Sequence, residues 1–323
     1  MRGAVVRFQY TWCAGTGNVI LCYSFLHMGY LPPAGRDNFE SSKTQKLFVM
    51  SKTIFITGAS RGFGKLWAEA LLKRGDKVAA AVRNPAALND LVKKYGDNIL
   101  PIQLDVNDRE AGKAAVEKIV KRFGRIDVLI NNAGYGLFGT VEETTEEQAR
   151  AQMETNFFGL LWVTQAVLPV MRAQKSGHII QVSSFLGVVT LPTLGLYNAS
   201  KFAVEGLSET LASEVAHLGI KITLIEPNGY ATEWAGASAA RTEAGIGDYQ
   251  PVRDGFAAAG QNPDIWGKPE ATVAPILQVI DSPNPPTRLL FGSMAYHGVV
   301  EAFGRRLKEV EDWKEVSIAA HGH

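Results

Sequence analysis

Residues 53–64 read Thr-Ile-Phe-Ile-Thr-Gly-Ala-Ser-Arg-Gly-Phe-Gly, and they indicate the fold class of the chain. Its first five residues are β-branched or aromatic, which favours a short strand that stops at Gly58. Beyond the glycines, apolar residues recur at helical spacing until Gly75, so the stretch joins a strand to a helix. A glycine-rich turn in that position can bring backbone N–H groups and the helix N-terminus against a phosphate.

The rest of the chain also alternates predicted strands with predicted helices. β-branched and apolar runs predict further strands at 77–82, 99–104, 126–130, 178–182, 220–225 and 288–291. Between them lie predicted helices, one opened by Asn84 and Pro85 and two long ones at about 146–171 and 195–217. The strand runs are apolar without alternation, which is typical of a sheet covered on both faces. We therefore predict an α/β fold, a doubly wound parallel sheet of Rossmann type in a single domain.

The composition is that of an ordinary globular chain and excludes several functions. Among 323 residues, 33 Lys and Arg nearly balance 32 Asp and Glu, and no basic stripe predicts a nucleic-acid surface. Cys13 and Cys22 both lie near the N-terminus, which excludes a disulfide framework or thiolate zinc site elsewhere. The six His form no His-Glu-x-x-His pair. We expect no metal and no nucleic-acid partner.

Residues 1–50 differ in character from the remainder of the chain. Their apolar run, residues 19–31, is shorter than the ~17–25 residues a membrane-spanning helix needs. Met50 then leads directly into the first strand, as a native N-terminus would. We predict a poorly ordered N-terminal extension that activity does not require, with a targeting or membrane-contacting peptide as the alternative. Residues 51–323 would form the domain, without membrane association and in the cytoplasm.

The glycine turn and four further patterns in the right order carry a family resemblance. The glycine turn has the spacing Gly-x-x-x-Gly-x-Gly, and Tyr197 and Lys201 lie four residues apart on one helix face. Ser184 ends the fifth predicted strand thirteen residues before Tyr197, residues 131–134 read Asn-Asn-Ala-Gly after the fourth, and Asn156 lies within the long helix. From about residue 52 to 291 the chain resembles the short-chain dehydrogenase/reductase family, in its single-domain branch.

The glycine turn and its surroundings indicate which dinucleotide binds. Gly58 suits a tight turn, Gly62 a close approach to pyrophosphate, and Gly64 a close helix–strand contact. The end of the second predicted strand carries no acidic side chain for a ribose 2′-hydroxyl. Arg83 there and Arg61 in the turn instead suit a 2′-phosphate, so we expect NADP(H). The residues expected to contact it are Gly58, Ser60, Arg61, Gly62, Phe63, Gly64, Arg83, Asp105, Val106, Asn132, Ala133, Gly134, Tyr197, Lys201, Pro227, Tyr230 and Thr232.

Two of these positions allow more than one interpretation. Asp105 resembles the family residue near the adenine, but it could also be the N-cap of the next helix. Pro227 is followed by Asn228 where the family commonly has Gly, and Tyr230 and Thr232 come next, where the family contacts the nicotinamide carboxamide. Because Asn best replaces Gly where φ is positive, we expect the turn to survive.

The resemblance also implies the chemistry. A free phenol with a pKa near 10 is poorly matched to acid–base work at neutral pH, and lowering that pKa by ~3 requires about 4 kcal/mol. We expect Lys201, together with the charge of an oxidised nicotinamide, to supply it for Tyr197. Ser184 would donate to the substrate oxygen, with Ser183 as the structural serine. Asn156 would position a relay water; otherwise it is a helix-interior Asn that bonds locally.

The predicted substrate pocket is mainly apolar. We expect Tyr135, Phe138, Phe185, Leu191 and Trp234 to line it, with residues 233–267 as a mobile lid. This favours a lipophilic ketone, aldehyde or secondary alcohol and a carbonyl reductase or alcohol dehydrogenase. The alternatives are a sugar-nucleotide epimerase or dehydratase and a non-catalytic NADP-binding regulator. The resemblance further implies a homodimer or homotetramer that pairs through the two long helices.

Overall fold

The computed structural model describes residues 51–236 and 238–322, so the predictions for residues 1–50 lie outside the described residues. Its strands, in chain order, are β1 (Thr53–Thr57), β2 (Lys77–Val82), β3 (Ile99–Gln103), β4 (Val128–Asn131), β5 (Leu137–Phe138), β6 (Gly177–Val182), β7 (Ile220–Pro227), β8 (Ala240–Arg241) and β9 (Arg288–Phe291). Seven of them form one parallel sheet in the order β3-β2-β1-β4-β6-β7-β9, and β5 pairs with β8. Every strand predicted from the sequence is confirmed, with boundaries shifted by at most two residues.

Helices cover both faces of the sheet. They are α1 (Gly62–Arg74), α2 (Asn89–Tyr95), α3 (Arg109–Phe123), α4 (Glu146–Met153), α5 (Leu160–Gln174), α6 (Gly195–Val215), α7 (Gln250–Gly260), α8 (Val273–Asp281), α9 (Ser293–Asp312) and α10 (Lys314–Ala319). One core joins α1, α2 and α8 to Ile54 and Ile56 of β1. The other joins α3, α5 and α6 to Phe55. Successive residues of β1 thus enter opposite cores, which explains its unbroken apolar run.

The strand order places the ligand crevice. From β1 the chain moves outward through β2 and β3, then returns to place β4 on the other side of β1. The carboxyl ends of β1 and β4 therefore flank a topological switch point, where open α/β sheets bind their ligands. The predicted doubly wound fold in a single domain is confirmed.

The predicted long helix at 146–171 contains a local irregularity. Between α4 and α5, residues Glu154–Gly159 form a π-helical turn, so the helix is continuous in path but not in hydrogen bonding. Two contacts account for it. Asn156 within the turn bonds the backbone of Tyr135, and a Cβ on Gly159 would lie 2.7 Å from Cγ2 of Val106. Turns of this kind occur frequently at functional sites.

Gly64 should be the least replaceable glycine of the first turn. A Cβ there would lie 2.3 Å from the carbonyl oxygen of Gly58 and 2.6 Å from Nδ2 of Asn132. We expect Gly64→Ala to lower the free energy of unfolding by about 1–3 kcal/mol, because the Gly58 carbonyl belongs to the backbone and Asn132 Nδ2 is held by hydrogen bonds to the carbonyls of Thr57 and Gly58. Urea unfolding followed by circular dichroism measures this.

Gly112→Ala is the matched control. Gly112 lies in α3, and a Cβ there would meet nothing within 4 Å. Its replacement should raise the free energy of unfolding by about 0.5–1 kcal/mol, as expected for Gly to Ala within a helix. Equal effects from the two variants would contradict the close contact at Gly64.

Candidate active site

A single cavity of about 1860 Å³ lies at the carboxyl ends of the strands. Every residue predicted for the cofactor or substrate lines it except Gly64, which lies under the glycine turn. Of the four predicted catalytic residues, Ser184, Tyr197 and Lys201 line the cavity. Asn156 is buried behind the wall. The fold therefore brings residues from distant parts of the sequence into one site.

The glycine turn leaves donors free at the start of α1. Gly58 and Gly62 have φ of 67° and 53°, a conformation that favours glycine. The N-cap residue of α1, Arg61, is extended, and no side chain caps the helix. The first N–H groups of α1 thus face the cavity together with the positive end of the helix dipole. This arrangement fits an anion such as a pyrophosphate.

Two arginines line the cavity next to the carboxyl ends of β1 and β2. Arg61 and Arg83 both line it and are exposed. Within residues 51–236 and 238–322, neither guanidinium makes a hydrogen bond or an ion pair with another side chain. Two permanently charged planar groups at one end of a cavity fit a phosphate monoester.

Asp105 does not cap the next helix. Its Oδ1 accepts a hydrogen bond of 3.0 Å from the backbone N–H of Asn107, which closes a local turn. The N-cap of α3 is Asp108, whose carboxylate accepts from the N–H of Ala111 at 2.9 Å. The N-cap alternative for Asp105 is wrong, since the helix starts three residues later than that reading requires.

Tyr197 lies beside Ser184 in the wall of the cavity. Tyr197 is 5% exposed, and the Ser184 hydroxyl is placed to hydrogen-bond its phenol. The Ser184 Oγ accepts from the N–H of Leu186 at 3.1 Å, and its single proton can be donated either to the Tyr197 oxygen or, over 3.4 Å, to the carbonyl of Pro227. These contacts fix the serine on the short helical turn after β6, while α6 presents the tyrosine.

Lys201 is held by the backbone one helical turn from Tyr197. Its Nζ donates to the carbonyl of Val182 at 2.8 Å and lies 5.7 Å from the centre of the Tyr197 ring. Burial lowers the pKa of Lys201 to about 8, with Glu205 acting in the opposite direction. Lys201 is therefore an ammonium group close to losing its charge at mildly alkaline pH.

The pKa of Tyr197 depends mainly on its burial. Burial raises it well above its usual range, and the hydrogen bond from Ser184 only partly offsets that effect. In the protein by itself, desolvation of the phenolate therefore dominates. The expectation that Lys201 and the charge of an oxidised nicotinamide together lower this pKa stays a prediction.

Asn156 makes local hydrogen bonds that also reach the site. Its Oδ1 accepts from the N–H of Tyr135 at 3.1 Å, and its Nδ2 donates to the Tyr135 carbonyl at 2.9 Å and to Ser200 Oγ at 3.3 Å. A Cβ on Gly134 would lie 3.1 Å from Asn156 Oδ1 and 4.0 Å from Lys201 Nζ. Gly134 therefore lets the amide and the ammonium approach each other.

Aromatic side chains form the wall next to Tyr197. The rings of Trp234 and Tyr197 have centroids 4.9 Å apart, and Phe138 lies 5.5 Å from Trp234. Phe256 of α7 contacts Phe138 from the lid at 6.1 Å. An apolar wall of this kind favours an apolar substrate surface beside the phenol.

Hydrogen bonds of Asn228 hold the turn after β7, and not, as predicted, a positive φ at that residue. Lys175 and Thr193 are the non-glycine residues with positive φ among the described ones, so Asn228 is not a substitute for a left-handed glycine. Its N–H donates to the carbonyl of Phe291, and its Nδ2 donates to that of Ile265 at 3.3 Å. A Cβ on Gly292 would overlap Asn228 Oδ1, so the glycine required here is Gly292.

Sequence reasoning missed the anchor of the lid. Glu143 accepts from the N–H groups of Gly245 and Ile246, both at 2.8 Å, and pairs with Arg253 at 2.9 Å. Hydrogen bonds from Thr140 and from the lid backbone lower the pKa of Glu143 to about 2. The partners are about a hundred residues apart, so no local pattern predicts the contact.

A buried charged cluster behind Lys201 was also missed. Glu205, Glu226 and Arg288 form ion pairs beneath the site. The sequence does contain a signal for this cluster, because Glu226 interrupts the apolar run of β7 and Glu205 follows Lys201 by one helical turn. A charge inside a strand that helices cover on both faces requires a partner.

The fold and this site define a nicotinamide-type oxidoreductase scaffold, and comparison identifies its family. The family model described as short chain dehydrogenase matches residues 52–243. The chain belongs to the short-chain dehydrogenase/reductase family, which confirms the resemblance, and it is an oxidoreductase of that family.

Individual relatives resemble most of the chain. Oxidoreductase BOA17 of Botryotinia fuckeliana (strain B05.10) is 42% identical over 277 residues, which cover 84% of this chain and 100% of that protein. A short-chain dehydrogenase crystal structure from Streptomyces avermitilis superposes with a TM-score of 0.77 at 36% identity, covering 83% of this chain and 98% of that one. The structure of ElxO with NADP bound gives 0.65 at 28% identity, covering 77% and 100%.

The described part of the chain contains neither a metal-binding cluster nor a membrane-spanning helix. Within residues 51–236 and 238–322, no group of three or more His, Cys, Asp and Glu side chains could hold a metal ion. No helix in the same part of the chain is both long and apolar enough to cross a bilayer.

The lid anchor predicts a measurable loosening. In Glu143→Gln, hydrogen exchange at the Gly245 and Ile246 amides should become several-fold faster at pH 7, because their charged acceptor is gone. Since the pKa of Glu143 is depressed, the stabilising effect is complete above pH 4.5 and is lost as the pH falls towards 2. The exchange ratio between variant and wild type should therefore shrink over that range.

Glu146→Gln controls for the loss of one carboxylate. Glu146 is exposed and pairs with Arg150 within its own helix, so its removal should leave lid exchange unchanged. Equal exchange rates in wild type and Glu143→Gln would contradict the anchor.

Proposed function

We propose that the protein transfers a hydride between NADP(H) and a lipophilic ketone, aldehyde or secondary alcohol, with Tyr197 as the general acid and base. The observation that carries the proposal is the buried phenol of Tyr197, which stands between the hydroxyl of Ser184 and the aromatic ring of Trp234. A proton donor, a hydrogen-bond donor for an oxygen, and an apolar contact surface thus meet at one point of the cavity wall.

The residues present fit NADP(H). The uncapped start of α1 suits the pyrophosphate, and the free guanidinium groups of Arg61 and Arg83 suit the 2′-phosphate. Lys201, Tyr230 and Thr232 line the part of the cavity where the nicotinamide end would lie. The bound NADP in ElxO supports the choice of cofactor.

The chain's own residues handle the proton. Bound NADPH supplies a hydride to the carbonyl carbon. Tyr197 would give its proton to the carbonyl oxygen, and Ser184 would donate a hydrogen bond to that oxygen as negative charge develops on it. Lys201 would stabilise the resulting phenolate, and Asn156 would hold the Tyr135 backbone so that a water can lie between Lys201 and solvent.

The size and lining of the cavity favour a lipophilic substrate. At about 1860 Å³ it exceeds the ~300–1,000 Å³ of an ordinary ligand pocket, so it can hold a dinucleotide and a sizeable second molecule. Phe138, Trp234 and Phe185 line the region near Tyr197. The lid residue Phe256 and Met294 of α9 extend the apolar lining outward.

The remaining parts of the proposal concern assembly and location. A homodimer or homotetramer in the cytoplasm is proposed, with residues 1–50 as an extension that activity does not require. Three partly exposed rings lie where α5 begins: Phe158 stacks on Trp162 and meets Phe157 edge to face. These rings support pairing through this helix.

Tyr197→Phe tests the function. With a panel of lipophilic ketones and aldehydes, wild type should oxidise NADPH, and the variant should lose roughly 10²–10⁴-fold in kcat/KM, because the proton donor is gone. NADPH affinity, measured by fluorescence titration, should stay unchanged.

Tyr296→Phe is the control, because Tyr296 lies on α9 and is 57% exposed. It should turn over the same substrates at the wild-type rate. NADPH binding without oxidation of any carbonyl by wild type would indicate a silent binder and refute the proposal, as would near-wild-type turnover by Tyr197→Phe.

Arg83→Gln tests the cofactor preference. Loss of one charge-assisted contact of ~1.5–3 kcal/mol should lower kcat/KM for NADPH roughly 10–100-fold and leave that for NADH unchanged. Arg172→Gln, at an exposed arginine of α5, should change neither value. Equal losses with both cofactors would contradict a 2′-phosphate contact.

A further inference from the structure

Two buried carboxylates lie directly beneath the candidate active site. Glu205 of α6 and Glu226 of β7 are 6% and 1% exposed. The guanidinium Nε of Arg288, the first residue of β9, lies 3.1 Å from Glu205 Oε2 and 3.5 Å from Glu226 Oε1. One permanent cation therefore serves two buried acids, and its Nη2 also reaches the exposed Glu209 at 3.1 Å.

Glu205 connects this cluster to the residues of the site. It follows Lys201 by one helical turn, so both side chains lie on one face of α6. A Cβ on Gly187 would lie 2.8 Å from Glu205 Cγ, 3.1 Å from its Oε1 and 2.9 Å from Ser183 Oγ. The carboxylate and the Ser183 hydroxyl thus meet at the turn that carries Ser184.

Glu226 connects the cluster to Ser184 through its neighbour in the chain. It immediately precedes Pro227, whose carbonyl accepts the hydrogen bond from the Ser184 hydroxyl. In the sheet, Glu226 is opposite Leu290 of β9. The cluster therefore touches α6, the turn after β6, and the ends of β7 and β9, which together hold Ser184, Tyr197 and Lys201.

The charges in this cluster require a shared proton. The titratable and charged groups facing Lys201 and Glu205 are Glu226, Arg288, Glu209 and Tyr197. Two ionised carboxylates side by side in a buried place repel each other, so one of them keeps its proton. Burial first, and then the neighbouring Glu205, raise the pKa of Glu226 to about 8. Glu226 can then donate a hydrogen bond to an ionised Glu205.

We propose that Glu205 is a positioning residue which, with Glu226, forms an acid pair holding one proton, and that this pair sets the charge of Lys201. The pair supplies one negative charge one helical turn from the ammonium group. Without it, the ammonium of Lys201 would lose the carboxylate that opposes the effect of its burial. The catalytic importance of Lys201 rests on the function proposed above, but the charge coupling does not.

Lys201 titration tests the coupling without any substrate. The full-length protein with ¹³C-labelled lysines gives a Cε resonance for Lys201, identified by its absence in Lys201→Arg. In Glu205→Gln, that resonance should titrate roughly one pH unit lower than in wild type, because the nearby negative charge is gone. In Glu209→Gln it should titrate as in wild type, since that carboxylate is exposed.

The pH–rate profile provides the functional readout. The alkaline limb of kcat/KM should move to lower pH by the same amount in Glu205→Gln, while the maximal rate changes less. An unchanged Lys201 titration in a folded Glu205→Gln overturns the proposal. A wild type that oxidises no carbonyl refutes the proposed function instead, and the resonance shift still decides the coupling.

Glu226→Gln keeps the inference testable if Glu205→Gln does not fold. Because the pKa of Glu226 is raised, its stabilising effect is complete below pH 4.5 and is lost as the pH rises through about 8. Urea unfolding of wild type should therefore show stability falling between these values, and Glu226→Gln should flatten that slope. An equal slope in both proteins overturns the shared proton.

Discussion

The contact between the end of β1 and the end of β4 is the constraint on which the site depends. Asn132 Nδ2 donates to the carbonyls of Thr57 at 3.0 Å and Gly58 at 3.2 Å, and Thr57 Oγ1 accepts from the N–H groups of Asn132 and Ala133. Gly64 packs against the Gly58 carbonyl from beneath the glycine turn. These contacts fix the start of α1 to the loop after β4. The part of the cavity that suits a pyrophosphate is therefore held in a fixed place relative to the part that contains Ser184, Tyr197 and Lys201.

Burial governs the electrostatics at the chemical end. The same desolvation that raises the pKa of Tyr197 lowers the pKa of Lys201, so both groups are pushed towards neutrality. Each needs specific compensation to carry charge. The Val182 carbonyl and the Glu205 carboxylate favour the ammonium, and the Ser184 hydroxyl favours the phenolate. Hydrogen-bonding and charged groups of the protein thus replace the water that would otherwise solvate Lys201 and Tyr197.

How much of the fold and site could be predicted depends on the range of each interaction. Strand runs and the Tyr197–Lys201 spacing depend on a few neighbouring residues, so the sequence alone reveals them. The π-helical turn around Asn156 cannot be read in this way, because it arises from contacts with Tyr135 and Val106 in other elements. The same holds for Asn228, whose role depends on Phe291 and Gly292 some sixty residues later. The residue type at positions 156 and 228 indicated a structural or functional role, but it did not indicate which residues Asn156 and Asn228 contact.

The indole ring of Trp234 connects the lid to the phenol of Tyr197. Residue 267 is joined to the β7 turn by hydrogen bonds between Gly267 and Gly229 and between Ala231 and Gly267, while Glu143 holds residues 245 and 246. Trp234 lies between these two attachments and packs against Tyr197. A movement of this segment that withdraws Trp234 would let water reach the phenol and bring its pKa back towards 10. Trp234 therefore helps to keep the phenol away from water, and burial is the main reason that the pKa of Tyr197 is raised.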